Sequence, residues 1–229
     1  MKTLPASLPD EYQWLDGGQG YVVCAFYTPD YLSHVLELKH SLEKLGINHF
    51  FQRYDPRASW EAATRLKPTF IAECLSRLQT HILYVDADAV VRQPLQLLDS
   101  VTTDVALWLQ PIRKRGRQHV RVAPGTVYVR NTPGGRRFVD AWKDGERDCG
   151  PLALDGEMLQ MAMGRLPGLT LTILPATYAK VSGEDPSQHV IEHLHVSRGK
   201  FKWRPALRRA VIIGFVVMLA ASAYFLLAV

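Results

Sequence analysis

Cysteine is scarce in this chain: Cys24, Cys74 and Cys149 are the only three among 229 residues, widely spaced and never in a Cys-x-x-Cys pair. That excludes a disulfide framework and a thiolate zinc site, and implies reduced thiols, with Cys24 and Cys74 expected in the core. Also missing are low-complexity tracts, internal repeats and a Pro/Ser linker that would separate a second domain. The N-terminal MKTLPASLPDEYQWLDGG has one lysine and no apolar run of h-region length, so no export signal is expected.

Positive charge is not spread over one face. Of 27 Lys and Arg, five fall in RKRGRQHVR (Arg113 to Arg121) and six in RGKFKWRPALRR (Arg198 to Arg209); the other 16 face all 22 acids, so the net +5 sits on an otherwise acidic body. A nucleic-acid binder gathers its cations over a face or groove with base-stacking aromatics, so no nucleic-acid partner is expected. The distribution suits a membrane-facing collar, together with a loop that holds an anionic acceptor, lies against lipid head groups or is merely solvated.

What is present suits one globular body, since 47% apolar residues over this length can bury a sizeable core. The expected organisation is a catalytic domain over 1–197, a basic juxtamembrane segment over 198–209 and a transmembrane helix over 210–229. VIIGFVVMLAASAYFLLAV (Val211 to Val229) holds no charge and no proline, and as a helix would rise roughly 28 Å, about a bilayer's hydrocarbon thickness. Its apolar residues leave no polar face, which favours a single-pass C-terminal anchor over a buried helix. The cations all precede it, so the positive-inside rule keeps the body cytoplasmic.

Strand and helix signals alternate along the body, the pattern of an α/β sheet protein. GYVVCAFYT reads as a first buried strand. Thr28, Pro29 and Asp30 open a helix expected over roughly Pro29 to Leu45, stopped by Gly46. INHFFQRY is a second strand, and WEAATRLKPTFIAECLSRLQ a helix broken or kinked at Pro68. HILYVDAD returns as a strand; TDVALWLQ, GTVYVRN and LTLTILP follow as strands, with PGGRRFVDAWKDG and LDGEMLQMAMGRL as helices.

The chemistry concentrates in ILYVDADAVVRQP. Asp86 and Asp88 follow a buried strand, and extended backbone points both to one side with Ala87 between them. Buried carboxylates need a cation or donors to offset lost hydration. In open α/β sheets ligands bind beyond the carboxyl ends of the strands. Two hard oxygen ligands there suit Mn2+ or Mg2+, commonly completed by substrate phosphates.

YTPDYLSHVLELKHSLEKLG, LKPTFIAECLSRL, ILYVDADAVVRQP, PGTVYVRNTPGGRRFVDAW, LDGEMLQMAM and IEHLHVSR occur in that order across about Gly20 to Lys202. In this the chain resembles the nucleotide-diphospho-sugar glycosyltransferases of GT-A fold, the group that includes the glycogenin-like and bacterial lipopolysaccharide enzymes. The resemblance implies a mixed, mainly parallel sheet flanked by helices, a nucleotide-diphosphate sugar donor, and a glycan, lipid or protein acceptor. It implies that Tyr27 and Thr28 contact base and ribose, that Lys67 reaches the donor, and that Asp155 faces sugar and acceptor as a catalytic acid or serves as a helix cap. Asp86 would meet ribose or metal and Asp88 the metal. His195 would complete the metal site, and Arg198 or Lys202 would touch the diphosphate. The family's late H-x-x-G-x-x-K segment fits imperfectly here, because HVSRGKFKW carries one extra residue between His195 and Gly199, and His193 lies close by.

Two other readings stay open. HILYVDADAVV also fits the haloacid-dehalogenase signature, in which Asp86 would be a phosphatase nucleophile, although that fold normally begins with this strand. A membrane-tethered binding protein that keeps the fold without turnover is the other.

Overall fold

A computed structural model describes residues 7–57, 59–114, 116–150, 153–181 and 186–195. The chain forms two compact units, Met1–Leu194 and His195–Val229. All elements below belong to the first; of the second, only His195 is described. Arg198, Lys202 and the apolar run Val211–Val229 lie outside the described residues, among which no helix is long and apolar enough to cross a membrane.

Strand β1 (Glu11–Trp14) precedes a turn in which Asn48 Oδ1 accepts from Gly17 N at 2.7 Å. The next strand, β2 (Tyr21–Tyr27), is buried at all seven positions, as a strand covered on both faces must be. The turn Pro29–Tyr31 is a 3-10 helix, and the α-helix proper, α1, is Leu32–Lys44. The expected start at Pro29 is therefore a few residues early, because the Thr28 hydroxyl donates to Asp30 Oδ1 (2.6 Å) instead of capping a helix N–H. Gly46 ends the helix with φ 63°, a backbone state that costs glycine little.

Beyond β3 (His49–Arg53), the expected break at Pro68 separates α2 (Trp60–Thr64) from α3 (Lys67–Leu78). Pro68 sits in the first turn of α3, where its missing N–H has no helical partner to lose. The chain then enters β4 (His81–Val85) and β5 (Ala89–Val91). After the hairpin strands β6 (Val105–Lys114) and β7 (Arg117–Val129) come α4 (Pro133–Asp148), α5 (Asp155–Arg165), β8 (Leu171–Ile173), β9 (Lys180–Val181) and β10 (Ile191–His193).

Seven strands form one sheet in the order β1-β3-β2-β4-β7-β6-β8. Its centre, β3-β2-β4, is parallel, while β7 runs antiparallel to both β4 and β6. Alternate residues of β2 feed two cores: Val23 and Ala25 pack with Val35, Leu38 and Leu42 of α1, and Val22, Cys24 and Phe26 with Phe70, Phe138, Trp142 and Met158 of α3, α4 and α5. Cys24 and Cys74 are buried free thiols, as their apolar neighbours in sequence imply. The mixed sheet flanked by helices is as expected, but it is not mainly parallel: β2-β3, β2-β4 and β6-β8 are parallel, and β1-β3, β4-β7 and β6-β7 antiparallel.

One expectation is corrected. The basic stretch Arg113 to Arg121 is not a loop: β6 and β7 stay paired out to Lys114 and Arg117, closing at Gly116 with φ 77°. It is an extended two-stranded arm.

Candidate active site

Four elements converge at the carboxyl end of β4. The strand's apolar side chains lock it into the sheet centre, and its pairing with β7 ends at Val85 opposite Thr126. Asp86 N then donates to Gly125 O (3.0 Å) and Ala89 N to Asp86 O (2.9 Å), a tight turn that presents the DAD carboxylates before β5 begins. Asp86 is about a third exposed at its side chain, whereas Asp88 is buried.

A small second sheet, β5-β10-β9, delivers a histidine to the same place. Strand β10 runs antiparallel to β5 with His193 opposite Ala89, and Leu194 N donates to Asp88 O (3.0 Å). Its register is held by the buried carboxylate of Glu192, which accepts from Arg92 Nε at 2.8 Å and from its Nη2 at 2.5 Å. Asp86, Asp88 and His193 thus each offer one ligand atom within 4.8 Å of the others. The sequence reading assigned the histidine ligand to His195; the ring that joins the two acids is that of His193, and His195 opens the other unit.

Hydrogen bonding fixes which nitrogen of His193 faces the acids. Thr126 Oγ1 donates to Tyr178 O (2.9 Å), and a hydroxyl has one proton to give, so the 2.8 Å contact between Thr126 Oγ1 and His193 Nε2 has Nε2–H as its donor. Nδ1 is then the basic nitrogen, oriented by its neighbour as metal-ligating imidazoles are. Gly125 leaves the space this needs: a Cβ there would stand 2.9 Å from Asp86 Oδ2 and 3.1 Å from His193 Cε1.

Lys67, the first residue of α3, is buried, with its ammonium 2.8 Å from Asp86 Oδ1 and 2.6 Å from Asp155 Oδ2. Burial opposes its charge, but the carboxylates of Asp155 and Asp86 outweigh that and raise its pKa further above the usual lysine range. Burial likewise opposes ionisation of Asp86, yet Lys67, His193 and the Tyr84 hydroxyl, which donates to Asp86 Oδ1 at 2.9 Å, keep its carboxyl below the ordinary value. Asp155 is not the cap of α5 but its first residue; Leu154 holds the cap position, and its N–H donates to Glu157 Oε2 (2.9 Å). The buried carboxylate of Asp155 accepts from Gly156 N as well as from Lys67.

The Lys67 ammonium pairs with Asp86 and Asp155, and Asp88 adds a third carboxylate beside Asp86, a concentration of acids that suits a divalent cation. Two carboxylates and one imidazole are a donor set of the kind Mn2+ accepts and Mg2+ tolerates. The structure therefore brings together Lys67, Asp86, Asp88 and Asp155, and adds Tyr84, Gly125, Thr126 and His193. Thr28 is half-buried just beyond β2. Tyr27 ends β2 inside the first core, 3% exposed, with its hydroxyl 3.5 Å from Pro9 O. Position within the fold, rather than any local motif, marks Gly125 and Thr126; the sequence signal that pointed near His193 was its closeness to the imperfect histidine segment.

The sequence matches no protein-family model and no curated protein. Its three-dimensional structure does have relatives. A glycosyltransferase involved in the glycosylation of the major capsid of PBCV-1 superposes with a TM-score of 0.61 over 78% of this chain and 94% of its own, at 12% identity. The apo-form glycosyltransferase GlyE of Streptococcus pneumoniae TIGR4 does so with a TM-score of 0.51 at 12% identity, over 75% of this chain and 53% of GlyE. The chain has the GT-A glycosyltransferase fold.

Proposed function

We propose that this protein is a metal-dependent glycosyltransferase that takes a sugar from a nucleotide-diphosphate donor. The observation that carries the reading is the meeting of Asp86, Asp88 and His193 within 4.8 Å at the carboxyl edge of a glycosyltransferase-type sheet. Mn2+ or Mg2+ held by these three would offset the charge that grows on the departing nucleoside diphosphate.

The chain's own residues divide the remaining work. Lys67 fixes Asp86 and Asp155 in one arrangement, so the metal-side and sugar-side carboxylates are positioned together before substrate arrives. Asp155 supplies a negative charge toward the anomeric carbon as it becomes oxocarbenium-like. Thr126 holds His193 in the tautomer that leaves Nδ1 basic. Base and ribose are assigned to the carboxyl end of β2, to the half-buried Thr28 and to Tyr27 beside it. Arg198 and Lys202 are the diphosphate contacts of this proposal, and the segment 210–229 is its membrane tether; both rest on the sequence.

A panel of nucleotide sugars screened by thermal unfolding with and without Mn2+ tests the reading, because a ligand that binds only the folded state raises its melting temperature. A shift that needs both Mn2+ and a nucleotide sugar supports it. Phosphate release from monoesters would favour an Asp86 phosphatase instead, a reading weakened by β4 being the fourth strand of the chain. Binding without turnover of any donor would favour a binding protein.

A further inference from the structure

The sequence from Val105 to Val139 contains no acid and eight Lys or Arg. Its centre is the β6–β7 arm, which leaves the sheet at a defined place. Strand β7 pairs with β4 up to Thr126 opposite Val85, so everything from Gly125 back to Arg117 continues past the carboxyl end of β4, the edge that carries Asp86. The base of the arm rests on the site itself: Val122 O lies 3.2 Å and Pro124 Cδ 3.6 Å from where a Cβ on Gly156 would be, next to Asp155. With roughly 3.3 Å per residue, its tip reaches on the order of 25 Å beyond that edge.

Outside its base the arm has no core. Arg117, Gln118, His119, Val120 and Arg121 are all exposed, as are Pro111 and Arg113. Val120, 54% exposed, is paired with Pro111, so two apolar side chains share a face on which Arg113 and Gln118 are the next pair. The opposite face carries Arg121, which donates to Gln110 Oε1, and Arg117 and His119. Arg113, Arg117 and Arg121 stand exposed on the ribbon, whereas a site for a small anion would enclose its cations. The face that carries Val120 and Pro111 with Arg113 beside them fits an anionic lipid surface, where the Arg113 guanidinium meets head groups and Val120 and Pro111 enter the interface, while Arg117 and Arg121 on the other face of the thin ribbon add to its positive field.

We infer that the β6–β7 arm is a contact for anionic lipid that turns the Asp86–Asp88 edge toward a bilayer, so that the acceptor is one carried at the membrane surface. The acceptor part rests on the glycosyltransferase reading; the lipid contact does not. It also differs from the tether assigned to 210–229, because it gives the first unit a surface contact of its own.

The test uses the full chain with Cys149→Ser and Val120→Cys, labelled at residue 120 with an environment-sensitive fluorophore; Cys24 and Cys74 are buried. Vesicles of phosphatidylcholine with about a third phosphatidylglycerol should shift the emission to the blue, and pure phosphatidylcholine vesicles should not, even where the protein sediments with both. Reversing Arg113, Arg117 and Arg121 to Glu should abolish the shift while leaving the Mn2+-dependent thermal shift in place. An unchanged emission on vesicles that carry the protein down would overturn the inference. So would an equal response to soluble inositol hexakisphosphate, which would make the arm a site for free phosphates. Nucleotide-sugar turnover is read separately, so loss of the glycosyltransferase reading and loss of the lipid contact are distinguishable.

Discussion

Lys67 at the start of α3 and Asp155 at the start of α5 form a buried ion pair 2.6 Å long, and the same ammonium reaches Asp86 at 2.8 Å. One lysine therefore ties a helix before β4, the turn after it and a helix far downstream into a single charged cluster. Removing it would leave two acids facing each other in a poorly solvated place. Lys67→Met is expected to destabilise the fold by about 3–5 kcal/mol. Chemical denaturation measures this, and a loss under about 1 kcal/mol would show that the acids find other partners.

Gly125 is glycine because Asp86 and His193 occupy the space a side chain would fill. Gly125→Ala should displace one of the two and weaken Mn2+ binding by at least about tenfold, the size of effect that misplacing a ligand produces. Isothermal titration with Mn2+ reads this directly. Unchanged affinity would mean that the metal, if bound, sits elsewhere.

The tautomer of His193 gives a sharper test of the same site. His193→Gln should abolish Mn2+ binding, and Thr126→Val, which removes the acceptor of Nε2–H, should weaken it by about 10–100-fold. His195→Gln serves as the comparison; if it rather than His193→Gln removes binding, the ligand returns to the position read from the sequence.

Asp104 supplies a pH dependence away from the Asp86–Asp88–His193 group. Burial would raise its carboxyl, but the hydroxyls of Thr132 and Thr170 (each 2.8 Å) and the N–H of Thr170 donate to it and keep its pKa below the ordinary aspartate value. A carboxyl lowered on folding contributes stability at pH above its unfolded value and loses it as pH falls through the folded one. Stability should therefore drop as pH falls below about 4, and Asp104→Asn should flatten that part of the profile. Urea unfolding from pH 2 to 6 compares the two; parallel profiles would remove Asp104 from the account.

The sheet centre was legible because β2, β3 and β4 are short apolar runs with clear punctuation, and Asp86 and Asp88 were legible because charge at the end of such a run demands a reason. The arm was not, since RKRGRQ has neither alternation nor β-branched residues, and Arg113, Lys114, Arg117 and Gln118 are held in strands by cross-strand pairing. Thr126 and Gly125 carry no local signal; they matter because β7 pairs with β4. The histidine that stands beside the two acids, His193, lies two residues before the one read from the sequence; β10 is three residues long, too short for periodicity, and its register is set by the distant Arg92–Glu192 pair. Likewise the resemblance placed Lys67 at the donor, and only the fold puts its ammonium against Asp86 and Asp155.

The most direct measurement of the central claim is release of nucleoside diphosphate from nucleotide sugars by the wild-type protein and by Asp88→Ala, with Mn2+ and after its removal with a chelator. The account predicts Mn2+-dependent release that falls by at least about 10²-fold in the variant, as loss of a charge-stabilising group does. Release at the wild-type rate by Asp88→Ala, with its metal dependence intact, would contradict it.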